Sequence, residues 1–178
     1  MATTTWTVDP THSEVQFKVK HLVISTVTGS FKTFNGTLET ESDDFTNAKA
    51  SFSLDVDSIN TNQSDRDNHL KSADFFDAEK YPKITFESTS FNQAGGDAYQ
   101  LQGNLTIRDV TKPVTLNVEY GGSAADFYGN TKAGFEVTGK ISRKEFGLQW
   151  NAVTEAGAVV VGDEIKLIIN VQFIKQAS

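Results

Sequence analysis

Apolar and polar residues alternate with a period of two along most of this chain, and that pattern demands a sheet with one buried face and one wet face. Val15, Phe17 and Val19 point one way while Glu14, Gln16, Lys18 and Lys20 point the other. The same alternation picks out Ala48, Ala50, Phe52, Leu54 and Val56, then Leu101, Leu105 and Ile107, then Val114, Leu116, Val118 and Tyr120, then Ala133, Phe135, Val137 and Ile141. A flat sheet of about eight strands would expose two sticky edges, and closure removes them. The expected fold is all-β, an eight-stranded antiparallel barrel, and the functional question becomes what fills its interior. A barrel of about eight strands is either just filled by its own side chains or holds one small ligand.

Turn residues punctuate the strands as a hairpin meander requires. Gly95-Gly96-Asp97, Arg108-Asp109, Gly121-Gly122, Gly129-Asn130 and Gly162-Asp163 are read as turns, and Asn35-Gly36 as a kink within one long strand. Lys112-Pro113 marks a strand start, since proline cannot donate to a ladder. Glycines 29, 36, 103, 139 and 147 fall within or beside strands, where the missing side chain permits bending or close approach. The period breaks between Asn60 and Pro82. There Ser64 and Asp67 have capping-box spacing and Leu70, Ala73 and Phe76 recur at helical intervals, so a short helical insertion is expected around residues 64–80, closed by Pro82.

At 178 residues the chain suits a single domain spanning 1–178, because domains typically run to about 100–200 residues. A net charge of −7 leaves no broad basic face for nucleic acid or for an anionic bilayer. Arg143-Lys144 reads as a solvated strand end. The chain has no cysteine, which removes disulfides and thiol chemistry. No apolar run approaches the ~20 residues of a membrane-spanning helix. Without a leader segment in the given chain, the expectation is a cytoplasmic protein, or a periplasmic one already trimmed.

Catalytic motifs are poor. Asp9, His12 and Ser13 hold the residue types of a triad, but adjacent strand residues face opposite sides, and no Gly-x-Ser-x-Gly elbow occurs. Hydrogen bonding at the turn into the barrel is the role expected of them. His12, His21 and His69 lack metal-ligand spacing, and Asp65-x-Asp67-x-His69 lacks the glycine and terminal glutamate of a calcium loop. No cofactor and no metal are expected.

A set of short segments, in order, resembles the YceI-like family of bacterial lipid-binding, polyisoprenoid-binding proteins. They run from Trp6-x-Val8-Asp9-Pro10-x-His12-Ser13 through Phe17-x-Val19-x-His21-Leu22, Gly29-x-Phe31-x-x-Phe34-x-Gly36, Asp74-Phe75-Phe76-Asp77 and Tyr81-Pro82 to Gly103-x-Leu105-Thr106-Ile107, Val110-Thr111-Lys112-Pro113-Val114 and Arg143-x-x-Phe146-Gly147-Leu148. Asp109 stands where the family commonly has glycine. The resemblance implies a lipocalin-like barrel whose interior takes a long-chain isoprenoid, a quinone or a similar amphiphile, bound rather than chemically changed.

The expected ligand-binding residues are Phe17, Val19, His21, Phe31, Phe52, Leu54, Phe86, Leu105, Ile107, Phe135, Ile141, Arg143 and Trp150. The aliphatic and phenylalanine members supply an oily wall. His21 and Arg143 offer polar contacts for a headgroup, the planar fork of arginine suiting a phosphate, and the indole of Trp150 suits a cavity mouth. Two other readings stay open: a ligand-free structural or stress-related barrel packed solid by its thirteen phenylalanines, and a lipid-modifying enzyme built on His21 and an inward carboxylate. The expected partners are therefore a long-chain lipid and, through two-fold symmetry, a possible homodimer.

Overall fold

The computed structural model describes residues 3–21, 25–41, 45, 47–72, 76–146 and 161–176. One antiparallel sheet contains β1 (Thr4–Val8), β2 (Glu14–His21), β3 (Ser25–Phe31), β4 (Phe34–Thr40), β5 (Lys49–Asp55), β6 (Ile59–Asn60), β7 (Lys83–Gly95), β8 (Ala98–Ile107), β9 (Val110–Ala125), β10 (Thr131–Ser142) and β11 (Val161–Lys175). The first six segments are three interrupted strands. β1 and β2 both run against β11, with Val8 opposite Phe173 and Val15 opposite Ile169. β4 and β3 in turn pair with β1 and β2, and β5 and β6 pair with β4 and β3. Counted this way the eleven segments are eight staves of an up-and-down barrel, closed where β1 pairs with both β4 and β11.

Each interruption shifts the phase of the alternation. Trp6 and Val8 are buried at even positions of β1, whereas Val15 and Phe17 are buried at odd positions of β2. A 3-10 turn at Pro10–His12 separates them. Lys32 and Thr33 do the same between Phe31 and Phe34, and a 3-10 turn at Val56–Ser58 does so before Ile59. Because the side-chain period is two, any odd insertion turns the following residues to the other face unless the strand kinks to restore them.

Three of the expected turns stand: Gly95-Gly96 and Gly129 adopt positive φ in tight connections, and Arg108 takes the left-handed position between β8 and β9 (φ 56°). Others are corrected. Gly121-Gly122 lies inside β9, where a register shift opposite Gly134 and Phe135 makes a bulge. Gly162-Asp163 lies inside β11 beside a second irregularity. Asn35-Gly36 is regular strand, and the break comes earlier, at Lys32–Thr33. Pro113 is the fourth residue of β9 rather than its start.

Among the described residues the helical insertion is one helix, α1 (Ser64–Lys71), ending well before Pro82. Its expected capping box does not form. Gln63 occupies the cap position, and the Asp67 carboxylate instead accepts hydrogen bonds from Thr61 N (2.8 Å) and Thr61 Oγ1 (2.6 Å). Both bonds fall on Oδ1, which turns the carboxylate toward the incoming loop and away from the helix start. Leu70 and Phe76 pack against the barrel, Phe76 edge-on to Phe31 at 6.2 Å.

A candidate lipid cavity in the barrel

The inward residues of the eight staves enclose a cavity of about 210 Å³. One water needs about 10–15 Å³ on the same scale, so the space suits a chain of many carbons rather than trapped solvent. Phe17, Val19, Phe31, Phe52, Leu54, Phe86, Leu105, Ile107, Phe135, Ile141 and Arg143 all line it. Of the remaining expected residues, the His21 side chain and Trp150 lie outside the described residues. Ile84, Leu101, Leu116, Val137, Ile165 and Leu167 also face the cavity. Most of these obey the alternation and could have been chosen by it, Ile165 between Glu164 and Lys166 included; Leu167 opens the apolar run Leu167-Ile168-Ile169, where period two is unreadable.

Glycines keep the lumen hollow. Phe17 lies opposite Gly29 and Phe52 opposite Gly36 in adjacent strands, and Phe86 reaches diagonally to Gly103. At each of these glycines a Cβ would collide with the phenylalanine ring, to within 2.7 Å of Phe52 Cδ2 in the case of Gly36. The rings therefore occupy notches in the neighbouring stave instead of the barrel axis, a cross-strand use of glycine that also shields its backbone. Leu116 sits over Gly139 in the same way.

The end opposite α1 is plugged. Phe45, from the connection between β4 and β5, meets Trp6 (5.6 Å between ring centroids), Tyr120 (5.2 Å) and Phe135 (5.0 Å), and Phe135 meets Phe173 at 5.9 Å. Phe45 escaped the sequence reading because it belongs to a loop, outside any strand pattern. Outside this plug, Asp9 fastens the kink between β1 and β2 to β10. Its carboxylate receives Thr11 N and Oγ1, His12 Nδ1 at 2.8 Å and Lys132 Nζ at 2.8 Å. Desolvation pushes the Asp9 pKa up, but the donors from Lys132, Thr11 and His12 outweigh it and hold the carboxyl well below the ordinary range. The Ser13 hydroxyl oxygen accepts the Gln172 amide at 2.9 Å and is committed to the barrel wall. These residues bond at the strand kink, as expected, and not as a triad.

Arg143 corrects the expectation of a solvated strand end. It opens a 3-10 turn (Arg143–Phe146) after β10 and is only 2% exposed, while Lys144 is exposed. Burial pushes its guanidinium pKa down and the nearby Asp163 carboxylate opposes this. Asp163 is itself fixed by Ser142 Oγ (2.6 Å) and the Lys144 amide (3.1 Å), which hold its pKa below the ordinary value against its own desolvation. A buried cation is expensive unless compensated, and this one is the charged group of an otherwise oily lining. Among the described residues no three His, Asp or Glu side chains converge as metal ligands, and no helix is long and apolar enough to cross a membrane.

Fold and cavity together define a class: closed antiparallel barrels with an apolar lumen. Within that class the chain belongs to the family of the YceI-like domain, whose model matches residues 6–173. UPF0312 proteins of Staphylococcus aureus are 38% identical over 171 residues, covering 96% of this chain and 97% of theirs. The YceI protein of Campylobacter jejuni has a similar structure, with TM-score 0.74 and 34% identity over 89% of this chain and 90% of its own. Burkholderia cenocepacia BcnA superposes with TM-score 0.81 at 25% identity, covering 93% and 98% of the two chains. A polyisoprenoid binding domain from Saccharophagus degradans shares the fold at 16% identity and TM-score 0.68, covering 96% and 98%.

Proposed function

We propose that this protein binds a long-chain isoprenoid, quinone or similar amphiphilic lipid in its barrel, for storage or transport and without catalysis. The observation that carries the reading is the apolar lumen, kept unfilled by ring-over-glycine pairs although the chain has enough phenylalanine to pack it solid. The polyisoprenoid-binding domain that shares the fold supports the same substrate class. Each isoprene unit hides about five carbons, roughly 3–4 kcal/mol gross at ~0.8 kcal/mol per carbon, so a few units exceed the costs of association and ordering. The tail lies along Phe17, Phe31, Leu54, Leu105 and Ile107, and the polar head lies at the α1 end, near Arg143. His21 and Trp150 are proposed as further ligand contacts, and 1–178 as a single binding domain.

A thermal-shift titration with geranylgeraniol tests this reading. A ligand that binds only the folded state raises the melting temperature with concentration, by about 2.7 kcal/mol of stabilisation at a hundredfold excess over Kd. No shift at saturating lipid would leave the ligand-free barrel as the better account.

A further inference from the structure

The barrel wall has an unpaired seam between two staves. β9 pairs with β8 along its whole inner length down to Val110 opposite Ile107, and β10 pairs with β11 as far as Ser142 opposite Glu164. Between β9 and β10, however, the ladder stops at Asn117 opposite Thr138. Beyond it, the stretch of β9 that contains Pro113 faces Lys140–Ser142 with no registered pairing, and a further cavity of about 210 Å³ opens there. Lys112, Val114 and Thr115 line one side, Lys140, Ile141 and Ser142 the other, with Glu145 and Phe146 closing it from the 3-10 turn. Val114 and Ile141 line the central cavity as well, so these two side chains are shared by both spaces. Arg143, next in the chain after Ser142, lies on the inner side.

We propose that this opening is a head subsite: it seats an acidic head, a phosphate or a carboxylate, between Lys112 and Lys140, while the tail passes between Val114 and Ile141 into the lumen. The proposal rests on the reading of the lumen as a lipid site. The lining suits an amphiphile: Lys140 stands on the outward phase of β10, Lys112 is exposed at the rim on the phase of Val114, and Val114 and Ile141 lead into the oily lumen. The charged groups facing the opening are the two lysines and Glu145, with Lys140 also 3.7 Å from Glu164 across an exposed pair. An exposed pair of this kind is weak enough to be exchanged for a ligand anion, and an ammonium is a compact partner for phosphate. Two lysines flank this space on a chain whose net charge is −7.

The test compares farnesol, farnesyl monophosphate and inorganic phosphate on the intact chain and on the Lys112→Gln/Lys140→Gln double variant, both positions being exposed. The expected result is that the wild type prefers farnesyl monophosphate to farnesol by about fivefold, that the double variant loses this preference while keeping its farnesol affinity, and that inorganic phosphate alone binds too weakly to compete. Equal affinity for the two lipids in the wild type, or a preference untouched by the double substitution, overturns the head subsite and leaves the lumen reading intact. Failure of farnesol itself to bind overturns both.

Discussion

At the Phe45 end of the barrel, aromatic rings meet one another: Trp6, Phe45, Tyr120, Phe135 and Phe173 form a chain of contacts with centroids 5.0–5.9 Å apart. Toward α1 Phe17 and Phe52 still touch one ring each, Phe31 at 5.6 Å and Phe34 at 5.9 Å, but they and Phe86 also lie over glycines of the next stave. The same residue type therefore builds a stopper in one half and a smooth wall in the other, and the neighbour across the strand decides which. Where the opposite residue is bulky, rings interlock and bury one another. Where it is glycine, the ring lies in the wall and the axis stays empty. The first half is filled by rings, with Phe135 and Phe173 forming the floor of the cavity that the second half leaves open.

The sharpest way to break that division is Phe45→Ala. Removal of a buried ring that touches three others is expected to cost about 3–5 kcal/mol, seen as a fall in the urea midpoint, with geranylgeraniol affinity per folded molecule preserved. A stable variant that no longer binds lipid would show that the stopper belongs to the binding site instead.

Asp9→Asn comes next, at about 2–3 kcal/mol, because Thr11 and His12 lose a charged acceptor and Lys132 loses the nearer of its two carboxylates, keeping only Asp126 at 3.8 Å. The folded pKa of Asp9 is depressed, so its contribution is fully present above the unfolded value of about 3.9 and is lost as pH falls through the folded value. Chemical denaturation from pH 7 down to pH 2 should therefore show a constant gap between wild type and variant above about pH 5 that closes in acid. A gap that widens in acid would contradict the role given to Lys132, Thr11 and His12.

Leu105→Trp addresses the hollow half. Filling the lumen with an indole is expected to weaken geranylgeraniol binding by about tenfold, equal to 1.4 kcal/mol, while overpacking lowers stability by only about 1–2 kcal/mol. Isothermal titration separates the two, and unchanged affinity would mean that the tail runs elsewhere. The smallest effect belongs to Gly29→Ala. Its Cβ meets the side chains of Phe17 and Thr61 rather than backbone, so the ring swings toward the axis, with about 1 kcal/mol lost and lipid affinity reduced a few-fold.

Much of the barrel is legible in the chain because period two survives wherever one face is buried and the other is wet. Phe17, Phe52, Leu105 and Phe135 are found by it directly. It fails for physical reasons at three kinds of position. In the second half of β11, Leu167, Ile168 and Ile169 follow one another without a polar residue. At Pro10–His12 and Lys32–Thr33 the chain inserts residues that shift the phase, and nothing local distinguishes a kink from a turn. At Gly121-Gly122 and Gly162-Asp163 the turn signal is genuine, yet the long-range pairing of β9 and β11 overrides it and leaves irregular strand. The role of glycines 29, 36 and 103 was half visible, since close approach was expected but the approaching group, a ring on the next stave, depends on register. Arg143 was legible as an arginine of interest and illegible in its burial, which arises because its 3-10 turn packs against β9 and β11, strands distant in sequence.

Everything functional depends on whether the lumen is occupied by hydrocarbon. Native mass spectrometry of the protein purified from its host measures this directly. The account predicts a folded species heavier than the chain by the mass of a single long-chain amphiphile, with the increment removed by organic extraction. A bare mass before extraction, together with no adduct after incubation with geranylgeraniol, would contradict it.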